Sequence, residues 1–108
     1  MLKVFQVKKG DQFSFLIKFK NLNQNLTTIK MGIKEDYDSA MLVEKTLGDG
    51  ITKISTTTYQ VNFSPDDTDG LEPSMYIFDL RYTIGTTPKT PLSGYLIINN
   101  SVFNNDEE

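Results

Sequence analysis

Apolar residues in this chain fall at every second position, in run after run. Phe13, Phe15, Ile17 and Phe19 alternate with Ser14, Leu16 and Lys18, which places three phenylalanines and an isoleucine on one face of an extended segment. A helix would scatter the same residues around its circumference. The alternation also predicts a first strand over residues 2–7, closed by a turn at Lys9-Gly10-Asp11. A third strand has Ile29, Met31 and Ile33 on its inner face, with Gly32 pointing away and leaving room for a close neighbour or a bulge. Further strands are expected over residues 41–47, 51–54 and 59–63. Another carries Tyr76, Phe78, Leu80 and Tyr82 opposite Asp79 and Arg81, and a last one covers residues 92–98.

The connections between these runs carry turn chemistry. Residues 21–25 form a polar, asparagine-rich link, and residues 35–40 break the alternation as a loop or a single helical turn. Gly48-Asp49-Gly50 predicts a tight hairpin, and residues 55–58 a second turn. Ser64-Pro65-Asp66-Asp67 is a helix-start signal in which the Ser64 side chain accepts from the Asp67 N–H and Pro65 takes the first helical position. Gly70 should end that short helix, with Leu71 returning to the core. Residues 85–91 are Thr/Pro-rich and read as a loop.

Seven to eight strands at such intervals, with no helix-length periodic segment, predict an all-β fold of two antiparallel sheets packed face to face, with a small closed barrel as the alternative. The 108 residues suit one domain, expected over 1–103, with 104–108 as a frayed acidic tail.

Composition narrows the chemistry. Without cysteine or histidine, the chain has no disulfide, thiol nucleophile, thiolate metal site or imidazole base. The net charge of −3 argues against nucleic acid as a partner. Charge is uneven: residues 1–54 hold nine lysines and six acids, and residues 55–108 hold Arg81 and Lys89 with eight acids. An acidic edge facing a basic partner is one reading; solvated surface is the plainer one. The first nine residues do not read as a signal peptide and no apolar run is long enough to span a bilayer, so a protein kept inside the producing cell, without membrane insertion, is expected.

Candidate sites are few. Asp66, Asp67 and Asp69 before Gly70 fail as a calcium loop, because Pro65 holds the first ligand position and Tyr76 the place of the bidentate glutamate. Glu35, Asp36 and Asp38 are consecutive loop acids without the apolar surroundings that glycoside hydrolysis requires. No nucleophile elbow or phosphate loop is present, and the Asn-x-Ser/Thr triplets at Asn25, Asn62 and Asn99 read as chance matches. No enzyme activity, metal or cofactor is expected. Tyr37, Tyr95 and Phe103 are the aromatics expected at the surface, as a protein-contact patch; with no tryptophan, a glycan platform is the weaker reading.

A longer pattern runs through Lys45-Thr46-Leu47-Gly48-Asp49-Gly50-Ile51, then Val61 to Leu71, then Tyr76-Ile77-Phe78-Asp79-Leu80. It resembles the immunoglobulin-like amino-terminal domain of upper-baseplate proteins from tailed phages of Gram-positive hosts. Val7 to Asp11 and residues 13–19 fit that domain's first strands, and Pro73-Ser74-Met75 departs from a glycine the family often has there. The resemblance implies an immunoglobulin-like β-sandwich whose turn delivers a buried tyrosine, Tyr76, to the next strand. It also implies a structural adaptor of a phage or prophage particle, assembled in the bacterial host cytoplasm. Such an adaptor docks on other tail or baseplate proteins and is repeated, as a homo-oligomer, by the symmetry of the assembly. A carbohydrate-binding or host-recognition module on the same sandwich is the alternative.

Overall fold

The computed structural model describes residues 2–19 and 26–102. The link at 21–25 and the tail at 104–108 lie outside the described residues. Eight strands and one short helix follow in order: β1 (Leu2–Lys8), β2 (Phe13–Lys18), β3 (Thr28–Lys34), β4 (Met41–Leu47), β5 (Gly50–Lys53), β6 (Thr58–Phe63), α1 (Pro65–Asp69), β7 (Ser74–Ile84) and β8 (Thr87–Asn99).

The hydrogen-bonded order is β1-β8-β7-β3-β4-β5-β6-β2. It folds over at β4–β5 into a five-stranded leaf (β1, β8, β7, β3, β4) and a three-stranded leaf (β5, β6, β2). The inward residues of both leaves form one core. Ile29, Met31 and Ile33 from β3, Tyr59, Val61 and Phe63 from β6, Phe78 and Leu80 from β7, and Leu96 and Ile98 from β8 are all buried. Phe5 of β1 stacks on Phe15 of β2 at 4.4 Å, and Phe19 meets Tyr82 of β7 edge-on at 5.0 Å, so the rings bridge the leaves.

Three expectations need correction. The tight turn at Gly48-Asp49-Gly50 forms, closed by reciprocal Thr46–Asp49 backbone bonds at 3.0 and 2.8 Å, but it does not continue as an antiparallel hairpin. β4 and β5 pair at Thr46–Gly50 and Leu47–Ile51 in parallel register, because β5 crosses to the other leaf and pairs antiparallel with β6. Gly48 and Gly50 both take positive φ there, and the Lys45 side chain occupies the space a Cβ on Gly50 would need. The sheets are also not wholly antiparallel, since β1 runs parallel to β8 along its full length.

Finally, residues 85–91 are not a loop. β7 and β8 are joined by a two-residue turn at Gly85-Thr86, and β8 begins at Thr87. Pro88 and Pro91 are tolerated because β1 reaches β8 only from Ser93 onward, which leaves residues 87–92 with an edge that needs no donor.

The helix-start signal forms as read. The Asp67 N–H donates to Ser64 Oγ at 3.2 Å, and the Asp67 carboxylate accepts from the Ser64 N–H at 2.8 Å. Gly70 ends the helix with right-handed φ, and Leu71 is buried. The helix end is satisfied from the β1–β2 turn: the buried Lys9 ammonium donates to the carbonyls of Asp69 and Leu71. Thr68, 1% exposed, clasps the β1–β2 turn by accepting from Gly10 N–H at 3.0 Å and donating to the Asp11 carbonyl at 2.8 Å. The expected corner is present too. The hydroxyl of buried Tyr76 donates to the Glu72 carbonyl at 2.6 Å. Burial, reinforced by the Glu35 and Glu72 charges, holds that hydroxyl above its ordinary pKa, so it keeps its proton.

Candidate functional site

Each strand of the five-stranded leaf has an outward face, and cross-strand pairing fixes which outward residues are neighbours. One row runs Val4–Tyr95–Ile77–Lys34–Met41 across β1, β8, β7, β3 and β4. The next runs Gln6–Ile97–Met75. A solvated sheet face normally alternates apolar-in with polar-out. Here Val4, Met41 and Met75 are each about half exposed, and Leu2 is 68% exposed. The outer face thus carries a connected apolar band.

Beside the band lies a groove of about 340 Å³ lined by residues including Gly32, Tyr37, Met41, Ile77 and Asp79. Gly32 makes it possible: the Met41 sulfur lies 2.6 Å from where a Gly32 Cβ would stand. Charges line up in rows of like sign across the strands. Lys30 pairs with Arg81, and Glu44 and Asp79 flank Gly32 in the row beside it. Lys34 follows, its ammonium donating to the Tyr37 carbonyl at 3.3 Å. Lys30 and Arg81, directly paired, oppose each other, and the acids of the next row offset part of that.

Tyr37 is 70% exposed on the loop after β3 and lines the groove with Ile77, the cross-strand neighbour of half-buried Tyr95. The structure therefore brings Tyr37 and Tyr95 to one face, with Ile77 between them. Phe103 lies outside the described residues. Val4, Met75, Ile77 and Ile97 are contact candidates that the sequence reading passed over. Their signal was an apolar residue at the outward position of strands whose inward positions were already filled.

The acids do other work. Asp36 accepts from the Asp38 N–H at 2.9 Å and the Ser39 hydroxyl at 3.0 Å, shaping its loop. Asp67 pairs with Lys45 at 2.6 Å. Partial burial alone would raise its pKa, but the Lys45 ammonium and the bonds from Ser64 outweigh that and hold it below the ordinary value. Among the described residues, no three acids converge where a metal ion would be held. No described helix is long and apolar enough to cross a membrane.

No family model matches the chain, nor does any curated protein. Solved structures do. The chain superposes with TM-score 0.56 on the Ig-like domain of mouse leukocyte-associated immunoglobulin-like receptor 1, solved as a strand-swapped dimer. Identity is 11%, over 88% of this chain and 86% of that one. The fold is an immunoglobulin-like sandwich. The extracellular domain of the voltage-gated sodium channel β4 subunit, solved as a parallel homodimer, is similar at TM-score 0.50 and 11% identity, over 94% and 93% of the two chains. At such identity the likeness is one of architecture.

Proposed function

We propose that this immunoglobulin-like domain is a non-enzymatic docking module that binds other proteins through the outer face of its larger leaf. The observation that carries the reading is the apolar row Val4–Tyr95–Ile77, left uncovered on a sheet whose opposite face is buried. Burying it would release ordered water, and the charge rows beside it would set the partner's orientation. A rigid sandwich loses little conformational entropy on docking.

The partners we assign are tail or baseplate proteins of a phage or prophage particle assembled in a bacterial cytoplasm. This rests on the motif resemblance over residues 45–80 and at the first two strands. Particle symmetry would repeat each contact.

The test is complex formation with tail and baseplate proteins from the same genome, measured by size-exclusion chromatography with light scattering. Wild-type chain should form a stable complex. Ile77→Arg, at an outward position, should abolish it while leaving the melting temperature within a few degrees. An unchanged complex would remove the outer face from the reading. Absence of any complex, with glycan-array binding instead, would replace the adaptor with a sugar-recognition module.

A further inference from the structure

Among the described residues, the hydrogen-bonded order ends at β1 on one side and β2 on the other, so each of these strands has an edge on which no further strand pairs. These edges face each other. Near the middle of β1 they are closed by Phe5, stacked on Phe15 at 4.4 Å and edge-on to Phe13 at 5.3 Å. Toward the Leu2 end they part into a cleft of about 430 Å³, whose lining includes Phe5, Phe15, Ile17, Phe19 and Leu92. All five pack against the core, yet each is only half-buried. Among the described residues, no strand covers the interior here. The charged residues lining the cleft are Lys3 and Lys18. Together β1 and β2 carry three lysines and no acid.

We infer that this cleft accepts an extended segment of a partner protein in which apolar and acidic residues alternate. The segment adds to β2's open edge as an extra strand. Its backbone meets the unpaired groups of β2, its apolar side chains fill the space over Ile17 and Phe19, and its acids face Lys3 and Lys18. A second copy offering its own β1 or β2 fits poorly, since it brings the same lysines. The site is on the sandwich edge and does not depend on the outer-face reading, so Ile77→Arg should leave it intact.

The probe is an end-blocked octapeptide alternating valine and glutamate, titrated into the ¹⁵N-labelled chain. Amide shifts and slowed exchange should appear at residues 14–19 and 3–5. A valine–lysine peptide should bind roughly tenfold more weakly, as expected for two cross-strand pairs turned repulsive. The K3E/K18E double variant, altered only at exposed positions, should reverse that preference. No shift at these amides with millimolar valine–glutamate peptide would overturn the proposal. Equal binding of a backbone N-methylated peptide would too, since that reports an apolar pocket instead of strand addition. Shifts of the same amides with chain concentration alone would give the cleft to a second copy.

Discussion

Thr68 shows how much one side chain can decide. It is a small polar residue at a core position, and its hydroxyl accepts from the Gly10 N–H while its one proton goes to the Asp11 carbonyl, with the Pro65 carbonyl the longer alternative. Thr68→Val keeps the shape and removes the hydroxyl, leaving buried backbone groups unpaired. A loss of about 1–3 kcal/mol is expected in urea unfolding, with Thr68→Ser recovering most of it. Asp67 makes a different prediction. Its folded pKa lies below its unfolded value, near 3.9, so its contribution is present above that value and is lost as pH falls through the folded pKa. Asp67→Asn should therefore flatten part of the acid limb of a pH–stability curve below about pH 4, and Lys45→Met should do likewise.

Among the elements, β1 and β8 approach closely at Gly94. A Cβ on Gly94 would stand 1.8 Å from the Lys3 carbonyl oxygen, so only glycine lets the two strands pair at this point. Gly94→Ala should push β1 away. We expect a loss of about 1–3 kcal/mol and faster amide exchange over residues 3–7, with β3 and β6 unchanged.

Strand positions were readable because each has a buried and a wet side, and the inward residues of β3, β6 and β7 are the ones the alternation named. The cap at Ser64 was readable because it depends on neighbours within four residues, whereas the corner at Tyr76 was expected only through the family resemblance. Partnership was not. Nothing local in Leu2–Lys8 says it lies parallel to β8, or that Gly94 is its point of contact. Residues 85–91 misled because proline signals a loop unless one knows that β1 does not pair with that stretch of β8. Lys9 gave no hint of burial, since the carbonyls it meets lie sixty residues on. Tyr37 and Tyr95 were picked out as surface aromatics; Tyr37 is exposed and Tyr95 is half-buried. The apolar band around them needs the cross-strand order, which only the fold supplies.

At the scale of the molecule, both leaves share one interior, and no strand's apolar face is covered by its own neighbours alone. Phe78, 2% exposed, pairs with Gly94 of β8, and its ring reaches across that glycine to lie 5.6 Å from Phe5 of β1. Phe78→Ala should cost about 3–5 kcal/mol, a large part of the roughly 5–15 kcal/mol of an ordinary domain. Chemical denaturation should show one cooperative transition at much lower midpoint, with every probe changing together.

The parallel run of β1 beside β8 has a mechanical consequence. A pull on the leading end of β1 against the trailing end of β8 drags two strands of like direction past each other. All seven paired positions would then bear the load together, where a hairpin would peel open one pair at a time. A chain tethered at both termini should therefore yield abruptly at high force in an optical trap, and Gly94→Ala should lower that force sharply.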